Sequence, residues 1–594
     1  MSKPVSNYKG LISSLEKNIQ KLTRETRLWS LIRLISFIVF VSIIVLLQSL
    51  HWIIILLLIY VFAYLFIQIV KKHNRLDKEM ALAKRQRLTI DNELSSIEQH
   101  LGFKQNGEKY KDLEHDYASD LDLFGEQSVF HFFNRCQTEI GQELLSQRLK
   151  GKALPPNVEL FQEAIKELSE KTDWITAFQS LNKKSEPASF DHNKLDEWKN
   201  LDISWSQSNP IRVIAFLFPI ITILAFTFLC IKYSLFIALL SLLPNGLILK
   251  NYLERIMESS KIAERSLKTI TACSDIFQKI EQSHFKSDLL QELKSRLFSE
   301  SGNSSASLKK LDFYIDQLEL KNNLIGGIII VVSLWDFHIM NLLASWKKEH
   351  QYKIDAWISC LAEFEYLVSL STVAHNNPDW VYPSFKEEKS LDAKTLGHPL
   401  LKPSTRVDND ISMDTEHHLR LVTGSNMAGK STFLRAVGIN IILAKMGSVV
   451  CASSFSLPNL RLLTSMRSQD ALSESTSGFY AELKKLKRII DSVNEESDCF
   501  YLIDEVLKGT NTNDRHKGSM ALLSQLVERP SSGLVSTHDL GLAILEEQSK
   551  GKIENWCFEV EVNDNKLDFD YKIKRGVSES FNATHLMRNM GIKV

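Results

Sequence analysis

A glycine-rich loop carrying one lysine stands between a predicted strand and a predicted helix in the C-terminal third of the chain. The strand is Leu419–Val422, the helix is Thr432–Ile442, and residues 424–431 between them have the pattern GxxxxGKS. In such a loop the glycines let backbone N–H groups wrap the β- and γ-phosphates of a nucleotide, Lys430 adds a positive charge, and Ser431 ligates Mg²⁺. The pattern predicts a nucleotide site of the Walker A type. We expect the nucleotide to contact Gly424, Ser425, Asn426, Met427, Ala428, Gly429, Lys430, Ser431 and Thr432.

Two acidic residues end a short apolar strand further along the chain. Residues 499–503 read Cys-Phe-Tyr-Leu-Ile, and Asp504 and Glu505 follow them. Beside a Walker A loop, this arrangement predicts a Walker B motif, in which Asp504 holds Mg²⁺ directly or through a water and Glu505 orients or deprotonates the attacking water. Without the loop upstream, the same two acids would indicate only the N-cap of a helix.

A histidine ends a third short strand, which covers residues 534–537. This His538 lies 34 positions after Asp504, and from there it is predicted to sense the γ-phosphate, although a lone histidine is more often structural. The predicted catalytic residues are Lys430, Glu505 and His538, and the predicted metal ligands are Ser431 and Asp504.

A segment rich in serine and threonine, residues 468–477, precedes an amphipathic helix. The apolar residues of that helix, Phe479, Leu483, Leu486 and Ile490, fall on one side. A helix N-terminus rich in hydroxyl groups is an anion site, whereas the plain alternative is a helix cap without a ligand. From this stretch alone, the helix cap is the favoured interpretation.

The elements around these motifs change character near Leu391. From there on, short β-rich runs alternate with helices, which predicts an α/β domain. Before that point the chain is charged and helix-rich. A helix with regular apolar spacing from Ile354 to Val373 is ended by Asn376-Asn377-Pro378.

Two uncharged segments interrupt the helix-rich part. Leu34–Val70 holds 37 residues without Asp, Glu, Lys or Arg. As one straight helix it would be about 55 Å long, against a hydrocarbon core of about 30 Å, so we predict a hairpin with spans near 30–48 and 52–70. A second hairpin is predicted over 211–250, where Lys232 alone interrupts an uncharged run. The alternative is that these are buried core helices of a large soluble protein.

Lysines and arginines flank the uncharged segments on one side. They are frequent before the first span and after residue 70, while Lys232 is the single charge at the two hairpin tips. The positive-inside rule therefore predicts a multi-pass protein of the cell (inner or plasma) membrane, with both termini and residues 71–210 in the cytoplasm. The apolar run Leu324–Trp335 has only 12 residues and is expected to be a buried helix of the soluble part.

The composition excludes several classes of protein. The 71 Lys and Arg residues balance the 71 Asp and Glu residues, and this zero net charge argues against coating nucleic acid by bulk charge. A hydrophobic share of 44% excludes a disordered chain. Seven scattered cysteines form neither a disulfide framework nor a CxxC metal site, and such usage suits a reducing compartment.

Several of these segments resemble the MutS family. TGSNMAGKSTFLR at 423–435 resembles the family's TGPNMGGKST, and LIDEVLKGTNTNDR at 502–515 resembles its MDEIGRGTSTYDG. STHDL at 536–540 is similar to its THY/F switch, and Gly397-His398-Pro399 is similar to the RHP element that opens its ATPase domain.

The likeness extends upstream in weaker form. Residues 122–149 resemble the start of the family's core domain, and residues 360–385 resemble its lever helix and the strand after it. The resemblance thus covers most of 120–594 outside the second hairpin.

The resemblance implies an ABC-superfamily ATPase domain of the MutS type, working as a homodimer with composite sites for ATP and Mg²⁺. Residues 477–482 fall where that family has its STFMVE signature. The serine of that signature reaches the γ-phosphate of the other subunit, which would give Ser477 that role in trans. Residues 560–592 resemble the closing helical region that supports the dimer.

The N-terminal part departs from the family pattern. Residues 1–120 hold a membrane hairpin and a charged helix, where mismatch-reading members have a mismatch-reading domain and a connector domain. In the loop, Ser425 replaces Pro and Ala428 replaces Gly, and an aliphatic residue near Val407 replaces the aromatic that stacks on adenine. The resemblance therefore implies a membrane-anchored member in which mismatch recognition by aromatic wedging is not expected.

The leading hypothesis for function is a membrane-anchored MutS-type ATPase that binds and hydrolyses ATP at composite dimer sites and moves helical levers joined to the hairpins. The resemblance also implies a role related to mismatch repair and a DNA ligand. Lys- and Arg-bearing helices over 255–310 would bind the DNA through salt-sensitive phosphate contacts. The alternative is a half-subunit of an ABC-type membrane transporter, against which stand four predicted spans in place of six and the lack of an LSGGQ motif. A scaffold that binds nucleotide and turns it over slowly is a third hypothesis.

The predicted organisation divides the chain into six segments. They are a cytoplasmic N-terminal helix over 1–29, a transmembrane hairpin over 30–70, a cytoplasmic helical core region over 71–210, a second transmembrane hairpin over 211–250, a helical lever and core region over 251–390, and an α/β P-loop ATPase domain of the MutS type over 391–594.

Overall fold

A computed structural model gives the three-dimensional structure of most of the chain. The residues that it describes are 3–46, 52–181, 192–233, 235–299, 302–319, 324–425, 427–466, 478–496, 498–563 and 566–578.

Helices dominate the first two thirds of the described chain. In chain order they are α1 Lys3–Leu46, α2 Trp52–Gln99, α3 Val129–Phe133, α4 Glu139–Leu149, α5 Val158–Ser169, α6 Thr172–Ser180, α7 His192–Asn200, α8 Asn209–Lys232, α9 Leu235–Leu239, α10 Leu243–Ala272, α11 Ser274–Gln282, α12 Asp288–Ser295, α13 Ser304–Leu318, α14 Leu324–Ser333, α15 Trp335–His350, α16 Ile354–Asn376, α17 Lys430–Lys445, α18 Gly478–Glu495, α19 Thr512–Val527 and α20 Leu545–Gln548.

Strands are concentrated after residue 383. In chain order they are β1 Phe298–Ser299, β2 Gly302–Asn303, β3 Ser384–Phe385, β4 Ser390–Leu396, β5 Asn409–Asp414, β6 His418–Gly424, β7 Ser454–Leu457, β8 Arg461–Ser465, β9 Cys499–Asp504, β10 Ser532–Ser536, β11 Ile553–Asn563 and β12 Lys566–Arg575.

The described chain forms two compact units. The first comprises residues 1–135, 144–177 and 367–594, and the second comprises residues 136–143 and 178–366.

The C-terminal part of the first unit is an α/β domain built on a six-stranded sheet. Its strand order is β12-β11-β6-β10-β9-β8. The strands β8, β9, β10, β6 and β11 are parallel to their neighbours, and β12 pairs antiparallel with β11. Apolar side chains of these strands form a core with helices α18 and α19, in which Leu419, Tyr501 and Leu523 are fully buried. A smaller sheet has the order β3-β7-β4-β5.

The end of the α/β domain differs from the helical closure that the resemblance implied. Residues up to Arg575 form the hairpin β11–β12, and residues 579–594 lie outside the described residues. The physical reason is visible in the run KLDFDYKIK at 566–574, where polar and apolar residues alternate with the period of a strand.

Helices α1 and α2 form an antiparallel hairpin in the first unit. Phe40 stacks on Phe62 with ring centroids 3.6 Å apart, and Phe37 lies 6.3 Å from Phe66. The helices have 44 and 48 residues, so they are about 66 Å and about 72 Å long. Both run through the predicted boundaries at residues 29 and 70 without a break, because no proline or glycine lies near either position. The residues that join them, 47–51, lie outside the described part.

The second uncharged segment forms one long helix followed by several shorter helical pieces. Helix α8 is continuous from Asn209 to Lys232. The following apolar residues are shared between the short helix α9, a 3₁₀ turn over Leu240–Leu242, and the first turns of α10. Pro244 lies in the first turn of α10, a position that proline favours at the start of a helix. The predicted second half of this hairpin is therefore not a separate helix.

Some of the described helices are long and apolar enough to cross a membrane. Among the described residues, Lys3–Ile43 and Asn209–Lys232 belong to helices long and apolar enough to cross a membrane. Gly326–Ser333 and Trp335–His350 meet that criterion together, but they are bent by 81°. We expected Leu324–Trp335 to be a buried helix. The structure corrects this prediction, because Ile328 is 58% exposed and Ile329 is 44% exposed on α14.

Candidate active site

Three parallel strands bring the predicted motifs to one edge of the large sheet. Strand β10 pairs on one side with β6 and on the other with β9, so that Ser536 lies opposite both Val422 and Asp504. The segments that follow these strands are the glycine-rich loop, His538 and Glu505. Because the carboxyl ends of parallel strands form ligand-binding crevices, this edge is where a nucleotide site is expected.

The glycine-rich loop has backbone angles that side chains rarely adopt. Gly424 has φ of 144° and Gly429 has φ of 103°. A Cβ atom at Gly424 would lie 2.8 Å from the carbonyl oxygen of Phe558, which excludes larger residues there. Gly429 is the N-cap of α17 and has no side chain to cap it, so the N–H groups of the first turn remain available for an anion. Asn426 lies outside the described residues.

Lys430 folds back over the loop that carries it. Its Nζ donates to the carbonyl oxygens of Gly424 and Ser425, at 2.8 and 2.9 Å. The residue is only 5% exposed. Burial lowers the pKa of the Lys430 ammonium to about 8, while the nearby carboxylates of Glu505 and Asp504 oppose that shift. The ammonium therefore lies inside the loop, where phosphate oxygens would replace two carbonyl oxygens as its acceptors.

Asp504 is held in place by its neighbour on β10. The Ser536 hydroxyl donates to Oδ1 of Asp504, and the aspartate is 8% exposed. Ser431, the other predicted metal ligand, lines the same cavity as the loop. A hydroxyl and a carboxylate oxygen are hard donors, and Mg²⁺ takes few protein oxygens beside phosphate and water. The donor set at this edge therefore fits Mg²⁺.

Glu505 is tied to two cationic or proton-donating neighbours. His538 Nε2 lies 2.7 Å from Oε1 of Glu505, and Lys508 Nζ lies 3.1 Å from Oε2. The hydrogen bond from His538 lowers the pKa of Glu505 to about 2, with a further contribution from Lys508 and against the opposing effect of burial. The backbone N–H of Glu505 donates to the Ser536 carbonyl oxygen at 3.1 Å, which fixes the residue at φ of 56°. Glu505 is thus an ionised, oriented carboxylate.

The short contact to Glu505 also sets the proton position on His538. A distance of 2.7 Å to a carboxylate requires that Nε2 carries the proton. Lys430 Nζ lies 3.5 Å from the same nitrogen, and it cannot then donate to it. All three predicted catalytic residues, Lys430, Glu505 and His538, meet within a few ångströms.

A cavity of about 490 Å³ opens beside the loop. Loop residues Ser425 and Met427 to Thr432 line one side, together with Glu505. The other side is apolar and aromatic, formed by His398, Leu401, Val407, Phe558 and Tyr571. A volume of this size suits a nucleotide, with phosphates at the loop and a flat base against the apolar wall.

Two aromatic residues of that wall were missed by the sequence analysis. Val407 lines the cavity where the family's stacking aromatic was expected to be replaced, but Phe558 and Tyr571 bring rings from β11 and β12. Phe558 lies edge-on to Phe433, with ring centroids 5.9 Å apart. No short motif marks either residue, because each reaches the cavity through strands that follow the glycine-rich loop by more than a hundred residues.

His398 contributes a neutral ring to the same wall. Burial lowers the pKa of His398 to about 4, and the charges of Arg435 and Arg406 add to that shift. Its Nδ1 accepts the backbone N–H of Leu400 at 3.2 Å. At neutral pH the ring is therefore an uncharged, flat surface.

The helix that follows the serine-rich segment is anchored by a buried aspartate. Asp120 accepts hydrogen bonds from the Thr464 hydroxyl at 2.8 Å, the Met466 N–H at 3.1 Å and Lys485 Nζ at 2.9 Å on α18. Ser477 and the rest of 467–477 lie outside the described residues, directly before α18. Asp120 therefore fixes the helix whose first turn follows Ser477.

A family model and curated relatives agree with this architecture. Residues 420–592 match the family model described as MutS domain V. The chain is 33% identical over 228 residues to the DNA mismatch repair protein MutS of Thermotoga sp. (strain RQ2), covering 38% of this chain and 28% of the relative. It is 32% identical over 220 residues to the protein of that name from Aquifex pyrophilus, covering 36% of this chain and 25% of the relative.

A third relative gives the same picture. The DNA mismatch repair protein MutS of Clostridioides difficile (strain 630) is 31% identical over 229 residues, covering 37% of this chain and 24% of the relative. The match thus spans less than a third of the length of each of these relatives.

Proposed function

We propose that the chain is a member of the MutS family and a membrane-anchored ATPase that binds and hydrolyses ATP at composite sites of a homodimer. The observation that carries the proposal is the convergence of Lys430, Glu505 and His538 on one glycine-rich loop. A site that only bound a nucleotide would not need an oriented carboxylate and a histidine at the γ-phosphate end.

ATP binding follows from the loop and the cavity. The N–H groups at the start of α17 and the ammonium of Lys430 take the phosphates, while His398, Phe558 and Tyr571 offer flat surfaces to the base. Ser431 and Asp504 would hold Mg²⁺, which when bound neutralises charge on the phosphates. Loss of the Lys430 carbonyl contacts is compensated by stronger, charge-assisted bonds to phosphate oxygens.

Hydrolysis follows from the pair formed by Glu505 and His538. With a pKa of about 2, Glu505 is a weak proton acceptor at neutral pH while His538 donates to it. A γ-phosphate competes for the same N–H, and the pKa of Glu505 rises toward its ordinary value when His538 turns to the phosphate. Glu505 then orients the attacking water and accepts its proton. The site is thereby inactive until the nucleotide is in place.

A second subunit completes the site in this proposal. Ser477 precedes α18 and would reach the γ-phosphate bound by the other subunit. The Asp120 anchor on Thr464, Met466 and Lys485 supports this role, because a helix that delivers a residue in trans has to be rigid. The movement that ATP drives would pass to lever helices such as α16.

Membrane anchoring is supported by the exposure of apolar side chains. Phe37 and Ile38 on α1, Leu65 on α2, and Phe216 and Leu224 on α8 are all more than half exposed. Soluble proteins rarely leave such continuous apolar surfaces in water, whereas a bilayer covers them. The ATPase domain would lie in the cytoplasm, where ATP is available.

DNA is the proposed ligand of the helical region, on the strength of the relatives' names. Some of the basic residues of 255–310 form ion pairs within the protein: Lys268 contacts Glu264 and Glu319, and Arg296 contacts Glu292. Phosphate contacts would have to replace these pairs, so binding is expected to be weak and salt-sensitive. The matches to MutS proteins favour this hypothesis over the half-transporter.

The proposal is tested by nucleotide-dependent dimerisation and membrane extraction of the full-length protein. With ATP, Glu505→Gln is expected to accumulate a dimer that light scattering detects. Lys430→Ala is expected to form no such dimer. Glu387→Gln, a change at an exposed residue, is expected to behave like wild type. The protein is expected to stay in the membrane pellet after alkaline carbonate washing. Release of the protein by carbonate would contradict the proposed membrane anchoring. A Glu505→Gln variant that stays monomeric with ATP would contradict the proposed composite site.

A further inference from the structure

Helix α8 packs through one narrow stripe and leaves its other faces bare. The buried residues of the stripe are Ile211, Ala215, Pro219 and Thr222, spaced at three or four positions. Around the rest of the helix, apolar side chains such as Phe216, Ile221 and Leu224 are exposed. The surface is apolar on all sides but one, which fits lipid better than a partner protein that would cover one face.

Helices α14 and α15 pack against the stripe of α8 as a bent pair. The bend of 81° lies at Leu334, whose φ is 49°. His338, on the first turn of α15, has its Nε2 3.0 Å from the carbonyl oxygen of Ala215. The whole run from Leu324 to Trp335 is uncharged.

The end of α14 is satisfied by a buried amide of α10. Asn245 is fully buried, and its Nδ2 donates to the carbonyl oxygens of Val331 and Val332 at 3.0 and 3.3 Å. The Thr222 hydroxyl donates to Oδ1 of the same amide at 3.2 Å. In water the last carbonyls of a helix need no such donor, but in hydrocarbon each unsatisfied one costs several kcal/mol.

The depth of this helix end can be read along α8. Thr222 lies 13 residues after Asn209, so it is about 20 Å from the start of α8 and close to the middle of a hydrocarbon core about 30 Å thick. Aromatic residues surround the lower end, where Trp205 stacks on Tyr252 with centroids 5.6 Å apart. Trp and Tyr prefer the membrane–water boundary.

Both ends of the bent pair return to the charged helices. Before α14, Glu319 lies 3.2 Å from Lys268, which is 23 residues beyond Asn245 on α10. Near the end of α15, Lys347 Nζ donates to the carbonyl oxygen of Trp198 at 2.7 Å. Both ends of the bent pair therefore lie beside charged helices, while the end of α14 lies beside Asn245.

From these contacts, and resting on the membrane anchoring proposed above, we infer that α14 and α15 form a re-entrant element that enters the lipid hydrocarbon from one side and turns at Leu334. Ile328 and Ile329 face lipid, and Asn245 supplies the donors that the end of α14 requires at that depth. A re-entrant element also keeps the ATPase domain on the same side as the N-terminal segments, which a complete span at 324–350 would not.

Single cysteines test this inference in the full-length protein within inverted membrane vesicles. Ile328→Cys, Leu224→Cys on α8 and Phe313→Cys on α13 are treated with a charged maleimide, and wild type gives the background from the seven native cysteines. Phe313 is 52% exposed on a charged helix, so it reports water. Each variant is labelled again after denaturation in detergent to count the available thiol.

The expected result is full labelling of Phe313→Cys and loss of labelling at both Leu224→Cys and Ile328→Cys. Labelling of Ile328→Cys with Leu224→Cys protected would overturn the re-entrant element and leave the anchor standing. Labelling of Leu224→Cys as well would instead overturn the membrane anchoring. In the Ile328→Cys background, Asn245→Leu is expected to restore labelling, and continued protection would contradict the role given to Asn245.

Discussion

His538 Nε2 lies 2.7 Å from Oε1 of Glu505, so the proposed γ-phosphate sensor is hydrogen-bonded to the proposed water-orienting carboxylate. The contact makes Glu505 a weak base, because it lowers the pKa of that carboxyl to about 2. A phosphate that attracts His538 releases Glu505 at the same moment. Nucleotide binding and activation of the carboxylate are thereby linked through one hydrogen bond.

The affinity for ATP is expected to fall as the pH rises above 8. Lys430 has a pKa of about 8 in the free site, and only its ammonium form attracts phosphate, so binding above that pH requires proton uptake. The Kd for ATP should then increase about tenfold per pH unit above pH 8. Titration calorimetry from pH 7 to 9.5 measures this dependence. Lys430→Arg should remove it, and a flat profile in wild type would contradict the assignment.

Removing the Asp120 anchor is expected to slow turnover without weakening nucleotide binding. Asp120→Ala removes the carboxylate that accepts from Lys485 Nζ and the Met466 N–H, which weakens the attachment of α18. Hydrolysis should fall about tenfold to 100-fold, as for a displaced positioning group, while the Kd for ATP stays unchanged. Exposed Glu126 serves as the control, replaced by Ala. Equal losses in both variants would argue against a role for Asp120 in positioning.

A buried ion pair is expected to stabilise the base of the α1–α2 hairpin. Arg135 contacts Glu93 on α2 through two bonds, Nε to Oε1 at 2.6 Å and Nη2 to Oε2 at 3.1 Å. Asn376 Nδ2 donates to the same carboxylate at 3.1 Å, and Asn376 Oδ1 accepts from the Tyr8 hydroxyl of α1 at 3.0 Å. Glu93→Ala removes the buried carboxylate that balances the charge of the Arg135 guanidinium, which should cost about 3–5 kcal/mol and lower the Tm.

Thermal unfolding in detergent, followed by circular dichroism, measures this loss. Glu98→Ala, an exposed change on the same helix, should leave the Tm within error of wild type. An unchanged Tm in Glu93→Ala would show that the pair does not support the hairpin.

Binding of duplex DNA is expected to be weak and to disappear as salt increases. Lys268 and Arg296 are paired with glutamates, which phosphates would have to displace. Each phosphate that is neutralised adds about −0.9 to the slope of log affinity against log salt. Fluorescence anisotropy across a salt series gives this slope. Binding that is independent of salt, or absent at low salt, would exclude phosphate-directed DNA binding and point to a protein or lipid ligand.

The sequence predicted the motifs of the site better than it predicted the surroundings. The glycine-rich loop, Asp504, Glu505 and His538 were predicted from spacing alone, because their chemistry depends on neighbours close in sequence. Phe558 and Tyr571 were not, since strand pairing between β6 and β11 brings them to the cavity. The break at Leu334 was also missed, because neither a proline nor a glycine stands at that position to mark it.

The steady-state rate of ATP hydrolysis by the full-length protein in liposomes tests the central claim most directly. Wild type is expected to hydrolyse ATP, and Glu505→Gln to be about 10² to 10⁴-fold slower while it still binds ATP, because the oriented carboxylate is lost. Glu387→Gln on an exposed surface should match wild type. A wild-type protein without hydrolysis, or a Glu505→Gln variant as fast as wild type, would contradict the account of this chain as an ATPase.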